Sequence, residues 1–275
     1  MSFIITATDF SEVAENAVNY ACRLAIEQNA QVIIIHSFII PVMFSDIPMP
    51  GSLITDAQND AEDQMNQLVA NMKQAYPALA INGKVIYGDT VDSIEEYTGE
   101  NTSPLLIVVG NIGPSETATW PDSNLMTIFK KMEYPVLAIP PHCSYKPVQK
   151  ICFAFDNKHK GTDTALRQLK ELATLFKSEL HVLTIKTANP KDTTGSGIDE
   201  DVKKQLAELN PGFHFVSDAE NTDLAIQHFN ETNNIDWLVL LPRKHSFFEG
   251  LFHKSHTKAI AHHSAIPILA LHEII

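Results

Sequence analysis

The residues best placed to do chemistry stand where apolar runs end. Asp9 follows the run that opens at Phe3-Ile4-Ile5, and Asp156 follows Ile151-Cys152-Phe153-Ala154-Phe155. Each carboxylate thus lies at the exit of a strand. Ligands of open α/β sheets bind at that edge, and a carboxylate there can equally cap the N–H groups of the loop or helix that follows. A second concentration lies between Arg243 and His263, where Arg243, Lys244, Lys254, Lys258 and five histidines face a single acid, Glu249. With Ser255 and Thr257 at the start of the last helix, Arg243, Lys244 and Lys254 would receive a phosphate or carboxylate through side chains. The same stretch also reads as a solvated basic face, or as a patch whose histidines charge near pH 6. His253 and His256 share a helix face, but no Asp, Glu or Cys at helical spacing completes a metal site. Nucleophilic catalysis has less support: there is no G-x-S-x-G, and His142-Cys143 are only neighbours in sequence, without a third group to orient them. A binding module is the stronger expectation, an enzyme the weaker.

These residues need a scaffold, and the sequence supplies it twice. Phe3-Ile4-Ile5, an amphipathic stretch from Ser11 to Gln28 and the run Val32-Ile33-Ile34-Ile35 are matched by Ile151 to Phe155, a helical stretch to about Lys177 and Leu180-His181-Val182-Leu183. Further on, Leu105 to Val109 corresponds to Trp237 to Leu241, and Tyr134-Pro135-Val136-Leu137-Ala138-Ile139 to Ile266-Pro267-Ile268-Leu269-Ala270-Leu271, both at an offset of 132. Short apolar runs separated by helical segments are the pattern of parallel strands buried on both faces. The spacing predicts strands near 3–8, 31–38, 82–87, 104–110 and 135–140, with helices near 11–28, 53–75, 90–100 and 123–132. In the second half it predicts strands near 149–155, 180–186, 212–217, 236–241 and 266–271. The expected domains are 1–143 and 144–275. Ile40 to Ser52, with Pro41, Pro48, Pro50 and Gly51, reads as a loop. Its Met43, Phe44, Ile47 and Met49 would pack over the sheet edge, form a lid or dock a partner.

Composition narrows the function. The net charge is −13, and residues 1–143 hold 17 acidic against 5 basic side chains. Duplex nucleic acid, whose binding rests on Lys and Arg neutralising phosphates, is an unsuitable partner for such a chain. No apolar run reaches the roughly 18 residues of a membrane span, and the start lacks a basic signal region. Cys22, Cys143 and Cys152 form no CxxC pair, which fits free thiols in a reducing compartment. A cytoplasmic location is expected, with no membrane partner.

Several motifs in order, repeated in tandem, resemble the universal stress protein (UspA) family over essentially the whole chain. They are Thr8-Asp9-Phe10-Ser11, the turn at Gly88, the exit Val108-Val109-Gly110-Asn111-Ile112-Gly113, and the closing Tyr134 to Ile139. The resemblance implies an α/β fold of two tandem open-sheet domains, Rossmann-like and of the adenine nucleotide alpha hydrolase type, each with five mainly parallel strands. It implies a stress-response binding or signalling role. Nucleotide-binding members hold ATP through G-x2-G-x9-G-[S/T] beside the strand-one Asp, which carries over to Thr8, Asp9, Gly110, Gly113, Ser123 and Asn124. The third glycine is missing. Counted from Gly113 it falls on Ser123, with Asn124 at the hydroxyl; counted back from Pro135 it falls on Asp122, with Ser123 as the hydroxyl. A carboxylate beside a phosphate repels it by about 1 kcal/mol at surface dielectric. In the second half Pro242, His245 and Lys254 replace the glycines. The implied ligand is ATP or AMP at a degenerate first site, with no cofactor required. The alternative is an ATP-binding protein with slow ATPase activity. A protein partner or small anionic ligand is expected, with the last strands of the halves, 135–140 and 266–271, paired within a monomer or homodimer.

Overall fold

The computed structural model describes residues 2–39, 51–100, 103–111, 122–155, 163–187, 198–219, 222–242 and 266–272. The chain divides into two compact units, Met1–Gly110 and Asn111–Ile275. Each is an α/β arrangement.

In the first unit, β1 (Phe3–Ala7), β2 (Gln31–Phe38), β3 (Ile81–Tyr87) and β4 (Leu106–Gly110) lie in the order β3-β2-β1-β4, all parallel. Every residue of β1 is buried. That is why the run is apolar without alternation: helices cover both faces of such a strand. Helix α1 (Glu12–Glu27) returns the chain to β2. Ser11 caps it, its side chain accepting from Ala14 N at 3.3 Å, with Glu12 and Glu15 favourably placed in the first turn. Its buried stripe is rich in alanine, with Ala14, Ala17, Ala21 and Ala25, so the helix can lie close to the sheet. Helix α2 (Gly51–Ala75) buries Ala61, Met65, Leu68 and Met72 at helical spacing, and α3 (Thr90–Glu100) leads toward β4. The loop expected to run to Ser52 therefore ends earlier, because Gly51 and Ser52 already belong to α2. Residues 40–50 lie outside the described residues.

In the second unit, α4 (Asp122–Lys131) precedes β5 (Val136–Ile139). β6 (Lys150–Ala154), α5 (Asp163–Phe176), β7 (Glu179–Thr187), α6 (Glu200–Leu206), β8 (Gly212–Ala219), α7 (Thr222–Asn233), β9 (Trp237–Leu240) and β10 (Ile268–Ala270) follow. The order is β5-β10-β9-β6-β7-β8. Neighbours are parallel except β5 and β10, which run antiparallel with Leu137 opposite Leu269.

Two polar residues pin this unit. Asp236 Oδ2 accepts from the backbone N–H of Gln149 at 2.8 Å and of Lys150 at 2.9 Å, while Oδ1 lies 2.7 Å from Lys146 Nζ. His272, just past β10, donates through Nε2 to the carbonyl of Phe129 in α4. Burial lowers its pKa, opposed by the carbonyls of Phe129 and Tyr134. The thiols of Cys22 in α1 and Cys152 in β6 are wholly buried. Burial pushes the Cys22 pKa up to about 12 and raises that of Cys152 further, so both stay protonated. Cys143 is half-buried.

Candidate functional site

The carboxyl edge of the first unit is built from the turn that joins β1 to α1. Thr8, 2% exposed, anchors it: its N–H donates to Ile35 O at 2.9 Å, and its Oγ1 accepts from Phe10 N at 3.0 Å. Its carbonyl is 2.8 Å from His36 Nδ1. A carbonyl only accepts, so Nδ1 carries the proton and Nε2 is left as the acceptor. Burial lowers the His36 pKa, opposed by the Thr8 carbonyl and the nearby Asp9, and the ring is a neutral donor–acceptor. Phe10 takes a left-handed backbone (φ 63), and its ring lies 4.4 Å from that of His36 at 34°.

Asp9 has the capping role that its position allowed. Its Oδ1 accepts from Ser11 N at 3.0 Å and from Ser11 Oγ at 2.5 Å, and Ser11 in turn caps α1. The carboxylate thus organises the helix N-terminus while remaining half-buried at the sheet edge.

Gly110 ends β4, the strand beside β1. A Cβ placed there would be 3.0 Å from the carbonyl oxygen of Val13 and 3.1 Å from its Cγ1. The glycine is required by the close approach of α1, whatever it does for a ligand. Gly110→Val is expected to lower stability by about 1–3 kcal/mol, because the backbone it meets cannot swing aside. Chemical denaturation of the two proteins checks this.

Thr8, Asp9 and Gly110 therefore share one edge. Gly113 lies outside the described residues. Ser123 and Asn124 fall in the first turn of α4, which begins at Asp122. Asp156, Arg243, Lys244, His253, Lys254, Ser255, His256 and Thr257 lie outside the described residues. Among the described residues there is no group of three or more His, Cys, Asp or Glu side chains arranged to hold a metal ion.

Phe10 and His36 were not singled out by their chemistry in the sequence. A signal existed for His36, the first polar residue after the run Val32 to Ile35. Next to it, Ser37 Oγ is 2.7 Å from Thr90 Oγ1, and Phe38 meets Tyr87 edge to face at 5.6 Å. In the second unit, a groove between α5 and α6 is lined by Arg167, Lys170, Lys204 and four carboxylates. With three cations against four carboxylates, and Lys170 in 2.8 Å contact with Glu208, it has no net positive field to draw an anion.

The family model for the universal stress protein family matches residues 2–140 and again 147–272. The chain belongs to the universal stress protein family. Solved members show the same fold. A universal stress protein from Archaeoglobus fulgidus DSM 4304 superposes with a TM-score of 0.69 at 15% identity, covering 98% of this chain and 96% of that one. A putative universal stress protein from Pseudomonas aeruginosa UCBPP-PA14 gives a TM-score of 0.52 at 14% identity, covering 99% and 93%. No curated protein sequence matches. Within the described residues, no helix of this family member is long and apolar enough to cross a membrane.

Proposed function

We propose that this universal stress protein is a stress-response binding module that takes the base end of an adenine nucleotide, AMP or ATP, at the carboxyl edge of its first unit. The observation that carries this reading is the Phe10–His36 ring pair beside Thr8 and Asp9. A flat aromatic surface next to a neutral imidazole acceptor suits a planar, hydrogen-bonding base. The phosphate side is the weaker half of the site. Along the sequence its glycine pattern lacks the third member in either frame, an acid, Asp122, stands in that place in one of them, and residues 1–143 are strongly acidic. The second half, without the glycines, would offer Arg243, Lys244 and Lys254 to an anionic ligand or a protein partner. The free cysteines fit a cytoplasmic location.

Calorimetric titration of nucleotide-free protein with adenosine, AMP and ATP tests the reading. Adenosine and AMP are expected to bind at least as tightly as ATP, and His36→Ala to weaken all three by about tenfold, the equivalent of one hydrogen bond of about 1.4 kcal/mol. No heat with any of the three overturns it. A phosphate-release assay on the same samples separates the slow-ATPase alternative. Turnover abolished in Asp9→Ala would favour that enzyme over the binding module.

A further inference from the structure

Strands β7 and β8 run parallel with His181 opposite Gly212 and Leu183 opposite His214. Alternation puts both histidines on one face of the sheet. Gly212 has no side chain to fill the place beside His181, and the His214 ring leans into it. A Cβ on Gly212 would lie 3.0 Å from His214 Nε2 and 3.3 Å from His181 Nδ1. Those two nitrogens are 3.0 Å apart. The ring centroids are 5.2 Å apart and the planes differ by 27°, so the rings meet edge to edge, as an N–H···N bond requires. Phe229 of α7 closes over both, 6.1 Å from the His181 ring and 4.7 Å from that of His214.

Among the described residues, the charges around the pair are few. On β7 itself, Glu179 Oε1 lies 3.4 Å from His181 Nε2. From β6, Lys150 opposes charge on His181, and the neutral thiol of Cys152 stands opposite His181 in register. From α7 the contact is the Phe229 ring. His181 is buried and His214 half-buried.

One proton occupies the bond between the rings, since one nitrogen donates and the other must accept. A first extra proton can go to the outer nitrogen of the donor ring and leave the bond intact. A second turns the accepting nitrogen into a donor, and two N–H groups then face each other across a bond that no longer exists.

We propose that His181 and His214 form an acid-operated latch, which clips the outermost strand β8 to β7 while the pair carries at most one charge and releases it when both rings are charged. Burial lowers the pKa of both rings; for His181 the neighbouring His214 and Lys150 act in the same direction, and Glu179 opposes for both. Unfolded or released histidine takes up its proton near 6.5. The latch's contribution is therefore complete above that pH and is lost as the pH falls through the lower folded values, so acid opens it and alkali does not. Its release would bare the hydrogen-bonding edge of β7 and free a strand whose Phe213 and Phe215 are already 39% and 38% exposed.

Hydrogen–deuterium exchange of the full chain at pH 7.5 and pH 5, corrected for intrinsic rates, tests this. Amides of 212–219 are expected to lose protection by about tenfold or more at pH 5, while 237–240 in β9 keep theirs. His214→Phe, which retains a ring against Phe229 but takes no proton, should show equal β8 protection at both values. General acid destabilisation of the second unit, as from His272 beside β9, would affect β9 as well and so is told apart. The proposal is overturned if wild-type β8 is protected equally at both values, if β9 loses protection in step with it, or if His214→Phe loses as much. Should that variant not fold, NMR titration of the wild-type imidazoles decides. Two coupled steps below the ordinary histidine value support the latch, and two independent steps at the ordinary value sink it.

Discussion

Replacing Asp236 by Ala is expected to lower stability by about 3–5 kcal/mol, read from the midpoint and slope of urea unfolding. The carboxylate is 9% exposed and serves as acceptor for two consecutive backbone N–H groups, those of Gln149 and Lys150, where the chain enters β6. Its removal leaves both donors short of a partner at the edge of the core, at a cost of about 1–3 kcal/mol each. The ion pair with Lys146 adds little, because that side chain is 60% exposed and screened by water. Lys146→Ala should therefore cost under about 1 kcal/mol. Equal losses in the two variants would show that the charge pair, and not the backbone clamp, is what matters.

The next residue gives the second large effect. Trp237→Ala should cost about 3–5 kcal/mol, since a wholly buried indole leaves a cavity that its neighbours only partly refill. Phe176 of α5 stands edge-on to it at 4.9 Å and would lose that contact as well. The measurement is unfolding followed by circular dichroism, because the substitution removes one of the chain's two tryptophans as a fluorescent probe. Trp237→Leu places there the residue found at the equivalent point of the first repeat, Leu105, and should lose less than half as much. A loss as large as that of the alanine variant would mean that this part of the core cannot adjust to a smaller aliphatic side chain.

What the sequence made legible follows from local physics. The strands stood out because burial on both faces leaves no room for alternation: β1, β4 and β9 are short apolar runs, and their positions follow directly from Phe3 to Ala7, Leu106 to Val109 and Trp237 to Leu240. Asp9 was marked by its place at a strand exit, although its engagement with Ser11 depended on a turn that only coordinates reveal. Asp236 carried no such mark. It occupies the place of Pro104 in the first repeat, and its backbone partners lie 86 and 87 residues away, so no local pattern connects them. His181 and His214 read as polar residues in apolar strands. Their meeting depends on the β7–β8 register and on the missing side chain of Gly212, neither of which has a signature along the chain. The spacing predicts the start of α2 two residues late for the opposite reason: Pro48, Pro50 and Gly51 are strong breakers, and a breaker signals a boundary without fixing the residue at which the next helix begins.

The two inert thiols have a practical consequence. Cys22 belongs to the first compact unit and Cys152 to the second, so each unit contains a single wholly buried thiol. An alkylating reagent cannot reach either one until its surroundings open, whereas Cys143 is partly accessible beforehand. Peptide mapping after timed exposure to such a reagent would give separate opening rates for the halves of one unmodified chain, without an engineered reporter.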